Sequence, residues 1–269
     1  MDEFLSLAGR LADSAGGISR RHWRAALPVD AKADTSPVTE ADREAEAAMR
    51  SLIEEIFPDH GIIGEEFGNV RRESPYQWVL DPIDGTRAFI AGYPTFATLI
   101  ALAKDSIPIL GIVDQPVTQE RWIGMAGKPA MFRHPREGGG PVSIPLDARL
   151  HGNDKTLSQA VIATTSMPYH FNAAEAAVFE KIRKQCAQTV IGGDGYGYAM
   201  VASGHIDIFI DSGLKPYDFC ALRPIIEGAG GVITDWKGQK LTLHSDGRVV
   251  AAGNKKLHLE ALTFLQPAI

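Results

Sequence analysis

Residues 78 to 90 read WVLDPIDGTRAFI. Trp78, Val79 and Leu80 form a short apolar run, the pattern of a buried strand. The run stops at Asp81, Asp84 follows after Pro82 and Ile83, and Gly85-Thr86 comes next. Two carboxylates at the end of a buried strand repel one another unless a proton or a cation intervenes. Gly85 lets the backbone approach an anion closely. If TRAFI opens a helix, the free amides of Gly85 and Thr86 point at that anion. The stretch therefore predicts a strand that ends in a cation site beside a phosphate-sized turn.

Other carboxylates share this context of strand ends and helix starts, where α/β proteins gather functional side chains. Glu65 and Glu66 follow the strand-like GII. Asp42 sits at one helix start and Asp218 at another, just after Pro216. Each has a structural reading as well. Asp42 lies three residues after Thr39, a capping-box pattern; Asp218 reads equally as a helix cap, and Glu65-Glu66 as a solvated loop pair. Magnesium is the natural cation for such a set, since it prefers carboxylate and water oxygens and is commonly held with a substrate phosphate. The chain has no H-E-x-x-H or Cys/His cluster for zinc, and its eight histidines are dispersed, with no ligand role assigned. It has no Walker motif. In GGDGYGYAM, residues 192 to 200, no placement of the glycines gives G-x-G-x-x-G. That segment reads as a close-approach turn lining a substrate pocket.

The chain has 269 residues, 45% hydrophobic and 22% charged, with a formal net charge of -6. The length suits one large domain or two intimately packed ones. The acidic balance argues against a nucleic-acid partner, but not against an anionic substrate, because local cations invert the field of an acidic site. No apolar run approaches the roughly 20 residues that span a bilayer, and the N-terminus lacks the basic-then-apolar layout of a secretory signal. The expected location is the cytoplasm, with no membrane partner. Cys186 and Cys220 show neither a C-x-x-C nor a zinc spacing and read as reduced, buried, small hydrophobes.

Apolar periodicity predicts helices over 2–25 and about 40–57. Strands are expected at GIIG, at QWVLD, on both sides of a turn near Asp105-Ser106, and at RWIGMAG. HPREGGGP reads as a mobile surface loop. Beyond it, QAVIATTS, TVIGG, IDIFID, GVITDW and RVVAAG read as strands. Helices over 173–187, GYAMVASG, 219–229 and 255–265 lie between and after them. A soft boundary near 140–155 divides an α+β half, 1–145, from an α/β half, 146–269. The candidate chemistry draws on both.

GEE at 64–66, DPIDGT at 81–86 and PYDFCALRPIIEGAGG at 216–231 together resemble the inositol monophosphatase superfamily, over nearly the whole chain. KADTSPVTEAD, DPIDGTRAFIAGYPTFATLIAL and GGDGYGYAMVASG resemble its histidinol-phosphate phosphatase branch. Arg87-Ala88 and Tyr217-Asp218 depart from the Thr-Asn and Trp-Asp usual in the inositol enzymes. The resemblance implies a layered α-β-α-β-α sandwich, usually a homodimer, and a magnesium-dependent phosphomonoesterase acting on a small phosphorylated metabolite. It implies two or three Mg²⁺ ions. Glu65, Asp81 and the Ile83 carbonyl would hold the first, and Asp81, Asp84 and Asp218 the second. Asp42 and Glu65 would help hold a third ion or its waters. It also implies that Thr86 and Glu65 orient the attacking water and that the Gly85 and Thr86 amides hold the phosphate. Asp194, Tyr198 and Asp211 are expected substrate contacts. Arg87 is expected either at the phosphate or paired with a carboxylate, and Asp211 also reads as a structural strand-end residue. Within the family, inositol 1-phosphate and a 3'-phosphonucleotide are the alternative substrates. A non-catalytic phosphometabolite-binding regulator is the alternative from another class.

Overall fold

The computed structural model describes residues 1–26, 28–31, 37–136, 139–148 and 155–266. Five residues of the KADTSPVTEAD motif, 32–36, fall outside that set, as do 149–154 in the expected boundary. Helix α1 (Asp2–His22) leads to a short antiparallel pair, β1 (Val29–Ala31) and β2 (Pro37–Thr39), and then to α2 (Glu40–Ile56). Strands β3 (Gly61–Gly64), β4 (Gly68–Val70) and β5 (Tyr76–Asp84) follow, with α3 (Thr86–Ile90) directly after β5. Next come β6 (Ala97–Lys104), β7 (Ile107–Gln115), β8 (Glu120–Met125), β9 (Met131–Arg136) and β10 (Gly139–Pro145). Strands β3 to β10 form one sheet in the order β10-β9-β8-β7-β6-β5-β3-β4, antiparallel except for the β3–β5 pair.

The second half runs β11 (Val161–Thr164), α4 (Met167–His170), α5 (Ala173–Arg183), β12 (Gln188–Ile191), α6 (Asp194–Ala202) and β13 (Ile208–Asp211). It closes with α7 (Pro216–Phe219), α8 (Leu222–Gly228), β14 (Val232–Thr234), β15 (Val249–Ala252) and α9 (Lys255–Leu265). Its sheet has the order β12-β11-β13-β15-β14, parallel through β12, β11 and β13 and antiparallel beyond.

Side-chain alternation along the strands sets the layers. On one face of the large sheet, Trp78, Leu80, Ile100 and Leu102 pack against Leu7, Leu11, Met49 and Ile53 of α1 and α2. On the other, Val79, Leu99, Ala101 and Val113 meet Tyr198 and Val201 of α6 and Leu222, Ile225 and Ile226 of α8. That cluster continues into Ala163, Phe209 and Ala251 of the small sheet. The small sheet's outer face, Ile162, Ile208, Ile210 and Val250, is covered by Phe179 and Ile182 of α5 and Leu257, Ala261 and Leu265 of α9. The order is α-β-α-β-α, as the resemblance implied. The central strands of both sheets are apolar on both faces because helices cover both.

Two expectations are corrected. HPREGGGP is not simply a loop: β9 and β10 run into it from either side and pair antiparallel, Val142 opposite His134, with residues 137 and 138 outside the described set. Phe132 stacks on Trp122 and His134 on Phe132, with centroids 4.9 and 5.2 Å apart, which gives β9 a packed face despite its polar sequence. The helix expected over 219–229 begins earlier and is broken into α7 and α8, with Pro216 in the first turn of α7. Cys220 is buried and Cys186 half-buried, and both are free thiols.

Candidate active site

The β5 strand runs through Asp81 to Asp84. In a regular strand, residues three apart point to opposite faces. Here Asp81 pairs with Leu99 but Asp84 with Ala97, so β5 has one residue more than β6 in this interval. This bulge restores both carboxylates to one side. Pro82, which has no N–H to offer a ladder, sits within it. The distortion is held by Thr98 Oγ1, which donates to the Pro82 carbonyl at 2.8 Å, and by the Ile83 N–H, which donates to Asp81 Oδ1 at 3.1 Å. The Ile83 side chain is buried with Phe89 and Phe96, and Thr86 Oγ1 donates to the Ile83 carbonyl at 3.2 Å.

Asp218 reaches the same place from α7, where the Lys215 N–H donates to its Oδ2 at 2.6 Å. One oxygen from each of Asp81, Asp84 and Asp218 lies within 4.8 Å of the other two. Asp84 Oδ2 also accepts from the Gly195 N–H at the start of α6. Burial is the largest cause that raises the pKa of all three above the usual carboxylate range. Repulsion from Glu65 adds to this at Asp81, and repulsion from Asp194 at Asp84. Asp218 is pushed up to about 8, although the Lys215 amide opposes the shift. Hard oxygen donors crowded this closely fit a divalent cation of the magnesium kind, which would relieve the repulsion.

Glu65 lines the same cleft as this trio, and its N–H donates to the Leu80 carbonyl, 3.2 Å away, beside Asp81. Asp42 lies in the first turn of α2, fully buried. Its Oδ2 accepts from the Thr39 N–H at 2.8 Å and the Thr39 hydroxyl at 2.5 Å, so the capping box read from the sequence is present. Its Oδ1 has no protein partner. Burial raises this carboxyl most, with a contribution from Glu65. An orphaned carboxylate oxygen near Glu65 fits water around an ion better than a cap alone.

Gly85 follows the bulge at φ +83°, a left-handed conformation that a side chain would strain. It opens α3, so the turn precedes a helix as expected. The cleft beside it has a volume of about 800 Å³, and Glu65, Asp81, Ile83, Asp84, Gly85, Thr86, Arg87, Asp194 and Asp218 line it. Asp194 stands at the first turn of α6, raised to about 7 by burial and by Asp211, with Arg87 opposing. The Arg87 guanidinium lies 4.2 Å above the Tyr169 ring and is close enough to the Asp194 carboxylate to oppose the rise in its pKa.

Two expected substrate contacts lie behind the cleft wall. Asp211 is fully buried. It accepts from Thr164 Oγ1 at 2.8 Å and from the Thr165 N–H and Oγ1 at 2.9 Å. Tyr198, 2% exposed, donates to it at 3.3 Å. Asp211 is occupied by the protein itself, in line with its reading as a structural strand-end residue, and neither it nor Tyr198 is among the residues that line the cleft.

The sequence reading missed the rim. Tyr93, Tyr169 and Ile191 line the mouth and are 65%, 68% and 61% exposed. They come from separate loops and elements, and no local spacing announces them. It also missed Glu46, fully buried on α2. The signal was available: Glu46 falls among Asp42, Ala45, Met49 and Ile53 on the buried face of the helix.

A model of the inositol monophosphatase family matches residues 1–267. The chain belongs to this family. It is 43% identical over 281 aligned positions to the bifunctional phosphatase IMPL2 of Arabidopsis thaliana, named as chloroplastic, covering 99% of this chain and 76% of that one. It is 34% identical to the histidinol-phosphatase of Chlorobaculum parvum, with 92% and 91% covered. Among solved structures, the inositol monophosphatase from Zymomonas mobilis superposes with a TM-score of 0.85 at 45% identity, covering 98% of each chain. As a member of the inositol monophosphatase family the protein is a phosphatase, and the acidic trio lies where β5 and α7 of that fold converge.

Proposed function

We propose that the protein is a Mg²⁺-dependent phosphomonoesterase that hydrolyses L-histidinol phosphate to L-histidinol and phosphate in histidine biosynthesis. The observation that carries the reaction class is the convergence of Asp81, Asp84 and Asp218 within 4.8 Å of one another, beside the Gly85 turn. Glu65, Asp81, the Ile83 carbonyl, Asp84 and Asp218 would hold two ions, with Asp42 and Glu65 supporting a third or its waters. When bound, the ions supply charge neutralisation and Lewis acidity. Phosphoryl transfer needs in-line geometry and charge neutralisation more than covalent chemistry from the protein. Glu65 and Thr86 orient the attacking water, with Thr86 Oγ1 fixed by its bond to the Ile83 carbonyl. The amides of Gly85 and Thr86 hold the phosphate. Water oxygen bonds to phosphorus, the ester P–O bond breaks, the alcohol leaves with a proton, and inorganic phosphate remains.

The substrate reading rests on Asp194 in the cleft wall, under an aromatic rim. Histidinol offers an amine and an imidazole, both able to carry positive charge, and these suit a carboxylate better than a neutral polyol does. The relatives named as histidinol-phosphatases support the same choice. Measuring kcat/KM with Mg²⁺ on histidinol phosphate, inositol 1-phosphate, fructose 1,6-bisphosphate and 3'-phosphoadenosine 5'-phosphate tests it. Histidinol phosphate is expected to lead; a preference for any other ester overturns the substrate assignment and leaves the metal site standing. We further propose a cytoplasmic homodimer, checked by light scattering and by fractionation. No helix among the described residues is long and apolar enough to cross a membrane.

A further inference from the structure

We infer that Glu46 is a positioning residue that sets the place of Glu65 by clamping the turn after it. Glu46 is a charged side chain with no exposure, on the buried face of α2, one turn after Asp42. Its two oxygens divide their work. Oε2 accepts from the Glu66 N–H at 2.7 Å, and Oε1 accepts from the Phe67 N–H at 3.1 Å. Arg50, four residues on, donates its Nε to Oε1 at 2.7 Å and its Nη2 to the Gly68 carbonyl. A largely buried ion pair therefore grips the backbone of three consecutive residues of a turn, 66 to 68, and the Arg50 guanidinium also lies 5.9 Å above the Phe67 ring. The residue before them, Glu65, is tied on its other side to the Leu80 carbonyl of β5.

The fit is tight. A Cβ on Gly64 would lie only 2.0 Å from Glu46 Oε1, so the strand end can approach the carboxylate only as glycine. A carboxylate so placed is an expensive way to hold a surface turn, because burying a charge costs several kcal/mol before its partners offset it. Its location explains it. Asp42 and Glu46 lie on one buried face of α2, and each bears on Glu65 in a different way. One meets the backbone around Glu65; the other keeps an oxygen without a protein partner and senses the Glu65 charge. Partners that orient a metal ligand without touching the metal change affinity about 10- to 100-fold when removed.

This inference rests on the reading of Glu65 as a metal-holding residue, and the test separates the two. Mn²⁺ binding to the full chain is titrated by electron paramagnetic resonance for the wild type, E46Q, E65Q and the double variant. Glutamine offers one acceptor and one N–H₂ donor, so one of the two amides must face a donor. The expected results are a roughly tenfold loss of Mn²⁺ affinity in E46Q and little further loss when E46Q is added to E65Q. Hydrogen exchange at the Glu66 and Phe67 amides is expected to quicken in E46Q before any metal is added. Because E46Q leaves Arg50 unpaired, E46Q/R50M removes both charges together and is expected to show the same loss of affinity. Equal losses from E46Q in the wild-type and E65Q backgrounds overturn the inference, since a general structural role is additive. Unchanged Mn²⁺ affinity in E46Q and in folded E46Q/R50M overturns it too. Unchanged affinity in E65Q overturns the reading of Glu65 itself, and the inference with it.

Discussion

Asp81 and Asp84 face the cleft together only because one extra residue separates them along β5. Asp84→Asn keeps the shape and removes the charge, so kcat/KM is expected to fall by 10²–10³-fold or more, on the order of a lost electrostatic contact to the reacting group. Circular dichroism should show a folded protein, since the substitution also relieves repulsion from Asp194 and Asp218. Metal removal gives the complementary result. The three carboxyls are raised, so without an ion the folded chain holds protons that the unfolded chain releases. Stability from this source is present at pH near 4 and is lost as pH rises toward about 8, the folded value of Asp218. A divalent ion must displace those protons to bind. The melting temperature gained on adding Mg²⁺ is therefore expected to be larger at pH 8 than at pH 6, and equal gains at the two would argue against the cluster as the ion's site. These residues were legible because carboxylates at a strand end conflict with burial. The burial of Tyr198 and Asp211 behind the cleft lining was not legible, because sequence order does not tell whether a side chain faces the cleft or the layer behind it.

At the scale of elements, α8 lies directly on the large sheet. A Cβ on Gly111 of β7 would lie 2.0 Å from the Ala221 carbonyl, at the joint between α7 and α8. Gly111→Ala must therefore push that joint away, at a cost of about 1–3 kcal/mol for overpacking. The same displacement moves α7, which carries Asp218, so half-saturation by Mg²⁺ should rise along with the loss of stability. A melting curve and a Mg²⁺ activation series check the two effects; a stability loss with unchanged half-saturation would show that α7 is held independently. The strands and long helices were readable from period 2 and period 3.6 patterns. The β9–β10 hairpin was not, because its packing depends on Trp122 of a neighbouring strand rather than on any alternation of its own.

For the whole molecule, a single apolar cluster draws on Val79, Leu99 and Trp122 from before residue 145 and on Phe209, Leu222 and Ala251 from after it. The layer order was legible from which strands are apolar throughout. The pairing of surfaces was not, because contacts between distant segments leave no local pattern. One group far from the cleft bears on global stability. His258 is 3% exposed and its pKa is lowered to about 4 by burial. The Thr234 hydroxyl donates to the Asp235 carbonyl, so the His258 Nε2–H donates to Thr234 Oγ1 at 2.8 Å, and the ring is neutral. The unfolded chain binds a proton near pH 6.5, the folded one only near pH 4. Stability from this source is complete above pH 6.5 and is lost as pH falls toward 4. The raised carboxyls of the cleft act in the opposite direction over that window, so the effect is read as a difference: the denaturant midpoint of the wild type relative to His258→Gln should fall as pH drops from 6.5 to about 4.

The bond from the Gly195 amide to Asp84 Oδ2 joins the end of β5 to the start of α6. It also gives the site an intrinsic reporter. A cation taking up charge at Asp84 weakens the acceptor, so the Gly195 amide proton should move upfield in a nitrogen-edited spectrum as Mg²⁺ is titrated. Occupancy could then be read from one resonance, without turnover and without a substrate.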